Sequence, residues 1–218
     1  MIVNEVITGI IAIIIGYLLG SIPSAYIATR LAIGKDIRRL GGGNVGGLNV
    51  FREVGAGPAL AAGLADVGKG AASVAIAYWL LDLSPTFVML AGIASVVGHN
   101  WMLFLKFTGG KGMGAAFGAL FVVMPVYGYP QGLAILFGII LIPFIITRNV
   151  ALSISVGLLS LPFITWFGTH SGIGTIMAAL VGIIILIKFL PTAKAAWTKS
   201  KNKKEFVFDR WQREKKAD

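Results

Sequence analysis

Polar residues of phosphate-handling type stand in two glycine-dense stretches of this chain. The first, GKDIRRLGGGNVGGLNVFREVG (34–55), spaces Asp36, Arg38, Asn44, Asn49 and Arg52 among its glycines. The second, GHNWMLFLKFTGGKGMGAAFG (98–118), carries His99 and, within GGKG, Lys111. Between them, DVGKG (66–70) places Asp66 and Lys69 three apart, on one face of a helix. Glycine lets a backbone approach an anion closely and turn its N–H groups inward. A helix starting at GGKG adds free N–H donors and the positive end of its dipole. The guanidinium fork and the ammonium point charge complete a site for phosphate monoesters. Arg38, Gly43, Gly46, Arg52, Gly109, Gly110, Lys111 and Gly112 are the candidate phosphate ligands, with Asp36, Asp66 and Lys69 as supporting groups.

The elements that must hold these residues are apolar. Of 218 residues, 56% are hydrophobic and only 13% charged, at a mean hydropathy of +0.84. A soluble domain averages about 25% charged residues, so most of this surface faces hydrocarbon. Continuous apolar runs without in–out alternation point to spanning helices rather than a barrel. They fall near 6–29, 56–81, 84–105, 112–127, 130–147, 149–167 and 172–190, separated at YGYP (127–130) and at TRN (147–149). The expected fold is therefore all-α, with seven transmembrane helices, or five if two segments are only half-buried. The leading MIVNE lacks the base of a cleaved signal, so the first helix is expected to be retained.

Basic residues alternate between loops. Arg30, Lys35, Arg38, Arg39 and Arg52 lie between the first two helices, Lys106 and Lys111 in the next such turn, and Arg148 in another. The opposite loops, MIVNE, LDLS, YGYP and GTHSG, contain no Lys or Arg. This pattern puts the amino terminus outside and both glycine-rich loops, at 34–55 and 105–112, in the cytoplasm. Residues 1–190 then form the membrane domain. The stretch 191–218, where Trp197, Phe206, Phe208 and Trp211 interleave with bases, is expected to be an amphipathic tail on anionic membrane lipid rather than on nucleic acid.

Several chemistries are excluded. With no cysteine, thiolate metal sites and cysteine nucleophiles are absent, and no metal or organic cofactor is implied. Lys111 is followed by Gly112, so GGKG is not a Walker A loop. The serine elbow GxSxG does not occur, and a histidine–x4–aspartate acyltransferase signature would need an acid where Phe104 stands.

In order and spacing, GSIPSAY (20–26), GKDIR (34–38), GGGNVGGLNVFR (41–52), DVGKG (66–70) and GHNWMLFLKFTGGKG (98–112) resemble the PlsY-type membrane acyltransferases. The resemblance implies a seven-helix protein of the bacterial inner membrane. It also implies transfer of a fatty acyl group from acyl phosphate to glycerol 3-phosphate, giving lysophosphatidic acid for phospholipid synthesis. Asn44, Asn49, Lys111 and His99 are then the candidate catalytic residues, the two asparagines orienting the glycerol hydroxyl or the carbonyl. The chain departs from the family pattern at Gly42 and Leu48, where relatives carry hydroxyls, and at Thr108. A His and Asn after the last helix are replaced by IKFLPTAKAAW. Such departures fit a divergent member, with another acceptor or weak activity as the alternative. A transporter of phosphorylated small molecules is a further alternative, disfavoured because the polar residues gather at one face and no inverted repeat is visible.

Overall fold

The computed structural model describes residues 2–199. It is helical throughout and divides into two compact units, Met1–Val126 and Tyr127–Asp218.

In the first unit, α1 (Ile2–Ser21) and α2 (Ser24–Ile33) replace the single helix expected over 6–29. Pro23 accounts for the break, because it has no N–H to donate and disfavours helical geometry at Ile22 before it. A short α3 (Gly47–Glu53) lies within the first glycine-rich stretch. Next come α4 (Ala56–Ala75), prolonged by a π-helical turn over Ile76–Leu80, then α5 (Pro85–Asn100) and α6 (Met113–Val126). Helix α1 packs on α5, α4 on α6, and both α2 and α3 pack on α4.

Small residues make these contacts close. The Cα of Gly16 faces the Ala91 carbonyl, that of Gly20 the Ser95 carbonyl, and that of Gly98 the Tyr17 carbonyl. On the other seam, Gly70 meets the Ala115 carbonyl and Gly118 meets that of Val67. No Cβ fits at these points without separating the helices, and close backbone approach is how helices associate where lipid removes the hydrophobic driving force.

The second unit contains α7 (Gln131–Thr147), α8 (Val150–Thr169) and α9 (Gly172–Lys199), packed α7 on α8 and α8 on α9. Helix α9 runs on through Pro191 instead of ending near 190. The rest of the expected tail, with Phe206, Phe208 and Trp211, lies outside the described residues.

All seven expected apolar segments are helical. By length and composition, five are sufficient to cross a membrane: Asn4–Ile33, Ala56–Leu80, Pro85–Leu105, Leu152–Thr169 and Gly172–Ala195. Met113–Val126 and Gln131–Thr147 are shorter apolar helices.

Candidate functional site

The first glycine-rich stretch is held by its own side chains. Asp36 caps a 3-10 turn over Ile37–Arg39, its Oδ1 accepting from the Arg38 N–H at 3.0 Å. The Arg38 guanidinium returns to that carboxylate at 2.7 Å and lies 5.7 Å from the Tyr26 ring centroid. Hydrogen bonding from Arg38 holds the Asp36 carboxyl below the usual carboxylate range. Arg38, expected among the phosphate ligands, is thus committed to Asp36 and Tyr26.

Asn49 staples the loop. Its amide donates to the carbonyls of Asn44 (3.0 Å), Leu40 (3.1 Å) and Ile37 (3.4 Å), while its Oδ1 accepts from the Gly42 N–H at 3.4 Å. The side chain is buried and saturated with backbone partners, so it shapes the loop instead of pointing out of it. Gly43 turns the chain at φ 70°, a left-handed conformation that L side chains adopt at a cost. Asn44 is half-buried, its amide against Gly46, and Arg52 stands exposed near the end of α3. Beneath the loop lies a buried apolar cluster of Ala25, Ile37, Val45, Val50, Ala62, Met102 and Leu105. These residues come from both polar stretches and from α2 and α4, which locks the stretches together.

The supporting pair becomes a network of three. Lys69 Nζ lies 2.9 Å from Asp66 Oδ1 and donates at 3.0 Å to the Ile22 carbonyl, which stands at the α1–α2 break and also accepts from the Ser24 N–H. His99 Nδ1 approaches the same carboxylate oxygen at 3.3 Å. All three side chains are at most 6% exposed. Charges this deep are tolerated when paired and hydrogen-bonded.

His99 carries the network to GGKG. Its carbonyl accepts the Gly110 N–H at 3.0 Å, and its Nε2 packs directly on the Gly110 Cα. The Val45 carbonyl touches that same Cα, so Gly110 is where the two polar stretches meet. Gly112, at φ 73°, turns the chain into α6 with its Cα against Asn100 Oδ1. Lys111 is half-buried between these turns. Burial, reinforced by the nearby Arg52 charge, lowers its ammonium to about 8.

The structure therefore brings Lys111, Arg52, the GGKG backbone and the loop around Asn44 into one basic region. It places Asp66, Lys69 and His99 below that region as its support. Sequence reasoning passed over Asn100, which is fully buried beside Gly112 with neither side-chain atom hydrogen-bonded among the described residues. Its position next to His99 at the end of α5 was the available signal. Among the described residues no cluster of three His, Cys, Asp or Glu side chains is placed to hold a metal ion.

Apolar helices of spanning length that frame a basic, glycine-walled region define a helical membrane protein whose exposed chemistry suits anionic groups. Residues 10–199 match the family model described as glycerol-3-phosphate acyltransferase. Glycerol-3-phosphate acyltransferase 1 of Dehalococcoides mccartyi is 48% identical over 93% of this chain and 97% of its own length. The glycerol-3-phosphate acyltransferase of Parasynechococcus marenigrum is 38% identical over 84% of each chain. The crystal structure of PlsY (YgiH), an integral membrane glycerol 3-phosphate acyltransferase, in its glycerol 3-phosphate form, superposes with a TM-score of 0.76 at 28% identity, covering 88% of this chain and 92% of that one. The lysophosphatidic acid form of PlsY superposes with a TM-score of 0.75 at 26% identity. The chain belongs to the glycerol-3-phosphate acyltransferase family and is an integral membrane acyltransferase.

Proposed function

We propose that the protein transfers a fatty acyl group from acyl phosphate to glycerol 3-phosphate on the cytoplasmic side of a bacterial inner membrane. The carrying observation is the junction of the two basic glycine-rich loops at Gly110, where the Val45 carbonyl and the His99 ring meet one Cα. A donor phosphate and an acceptor phosphate can be held side by side only if both loops serve one site.

In this reading the glycerol hydroxyl oxygen attacks the acyl carbonyl carbon, and the bond from that carbon to the phosphate oxygen breaks. The products are lysophosphatidic acid and inorganic phosphate. An acyl phosphate is a mixed anhydride with a good leaving group, so positioning and charge stabilisation dominate the catalysis. Lys111, Arg52 and the amides of Gly109 and Gly112 supply the positive field, while the Gly110 N–H is held by the His99 carbonyl and Asn44 sits at the edge. His99 turns Nδ1 to Asp66 and Nε2 to a glycine Cα, so its role is to hold the loop. The hydroxyl proton then passes to the departing phosphate. The test is purified protein with palmitoyl phosphate and glycerol 3-phosphate, read as release of phosphate together with lysophosphatidate. Absence of both products in folded protein overturns the reading.

The orientation belongs to the same proposal: seven spans, amino terminus outside, carboxyl terminus in the cytoplasm. The chain has no cysteine of its own, which makes labelling clean. Cysteines introduced in LDLS, YGYP or GTHSG should react with an impermeant thiol reagent from outside, and one at Gly42 should not. Reversed labelling would place the site on the wrong side.

Gly42 also tests the acceptor. No atom lies within 4 Å of where its Cβ would stand, so Gly42→Ser is accommodated without strain. A recovered hydrogen bond to a charged phosphate is worth about 1.5–3 kcal/mol. Gly42→Ser should lower the Michaelis constant for glycerol 3-phosphate roughly tenfold and leave that for acyl phosphate nearly unchanged. If it does not, a screen of other phosphorylated alcohols should find a better acceptor.

A further inference from the structure

A cleft outside the two loops' junction is lined by Tyr26, Arg30, Gly34, Lys35, Asp36, Arg39 and Leu40, and encloses about 380 Å³. Its charge is one-sided. The single acid, Asp36, is bridged by Arg38, whose guanidinium lies outside the lining and donates to both carboxylate oxygens. Arg30, Lys35 and Arg39 remain exposed, with no carboxylate partner among the described residues. The cleft lies at the end of α2, where the apolar stretch Asn4–Ile33 stops. On the same helix, Ile27 and Leu31 are 42% and 83% exposed. Three unneutralised cations therefore border an exposed apolar helix surface at the limit of a spanning segment.

We propose that this cleft is a second anion site, distinct from the acyltransfer site, that seats the phosphomonoester headgroup of a membrane lipid while the acyl chains lie along α2. A dianionic phosphomonoester matches three cations better than a phosphodiester or a zwitterion does. Clustered Lys and Arg just beyond a spanning helix attract anionic headgroups through the same charges. The exposed α2 side chains select a lipid over free phosphate, since only a lipid brings apolar surface to cover them. The capped 3-10 turn that brings Arg38 back onto Asp36 neutralises that carboxylate and leaves the neighbouring cations unopposed.

This second site lies beyond the acyltransfer reading; its occupancy is read as bound lipid, and turnover serves only to test that the cleft is separate. The full chain in phosphatidylcholine nanodiscs is titrated with phosphatidate, phosphatidylglycerol or inorganic phosphate, and bound lipid is counted by native mass spectrometry. Phosphatidate should bind more tightly than phosphatidylglycerol. The double variant Lys35→Gln/Arg39→Gln should weaken phosphatidate binding roughly tenfold, each lost surface base removing part of the attraction. Its Michaelis constant for glycerol 3-phosphate should stay within about twofold, because neither residue is in the acyltransfer site. Unchanged phosphatidate binding in the variant overturns the proposal. Inorganic phosphate binding as tightly as phosphatidate overturns the lipid as occupant, and a large rise in that Michaelis constant overturns the separateness of the cleft.

Discussion

Lys111→Ala should lower kcat/KM by the equivalent of about 2–4 kcal/mol, the usual cost of removing one preorganised electrostatic contact from developing charge. The ammonium is the half-buried cation of the GGKG turn, just before the first turn of α6 and near Arg52 at the end of α3. Its surroundings exclude much of the water that would otherwise screen it, so its removal is not made good by solvent. Turnover unchanged in folded, normally inserted Lys111→Ala protein would remove Lys111 from the site.

The same residue sets a pH dependence whose sign is fixed. Burial lowers the Lys111 ammonium to about 8 from an ordinary 10.5. The charged form is the one that meets phosphate, so activity should fall as pH rises through about 8 in the free enzyme. Lys111→Arg, whose guanidinium keeps its proton far above that range, should lose this alkaline limb even where its altered shape costs rate. Stability runs the other way. Between about 8 and 10.5 the unfolded chain holds a proton at Lys111 that the folded chain has released, so the ligand-free fold gains stability as pH rises across that window. Thermal unfolding in detergent across it, with and without glycerol 3-phosphate, separates the two effects.

Asp66→Ala should destabilise the first unit by about 3–5 kcal/mol, the range seen when one partner of a buried ion pair is deleted. Both Lys69 and His99 meet one carboxylate oxygen, at 2.9 and 3.3 Å, and both side chains are buried, so the lost charge is not replaced from outside. The vacated volume lies against the Cα of Gly114 on α6, so the α4–α6 seam loosens as well. Asp66→Asn keeps the shape and one acceptor and should cost less. The distinguishing measurement is kinetic. In whatever fraction of Asp66→Asn folds, the Michaelis constant for the phosphate substrates should rise more than kcat falls, because a released His99 ring unseats Gly110. A variant with wild-type melting temperature and Michaelis constants would overturn the assignment of Asp66 as the support of the phosphate loop.

How far the chain's chemistry can be read without its fold depends on whether the relevant partners are local. The apolar segments were legible because hydrocarbon demands long uninterrupted runs, and every one of them is helical. The basic glycine-rich loops were legible because few other roles need that composition. The Asp66–Lys69 contact was legible because both lie on one helix, where three residues apart means adjacent. Contacts between elements carry no such spacing. His99 joins Asp66 from a different helix, and that meeting depends on α4, α5 and α6 being brought together along glycine-lined seams. Arg38 and Asp36 are two apart, which is no helical neighbour, yet a capped 3-10 turn folds one onto the other. Asn49 read as a substrate-orienting amide and became the loop's staple, because only the folded loop shows that backbone carbonyls claim both its amide hydrogens first. Composition and periodicity therefore determined the solvent this protein lives in and the anions it is built to meet. Close packing decided which cations are spent on carboxylates, and a buried cation that has lost its water must find its partner within the fold.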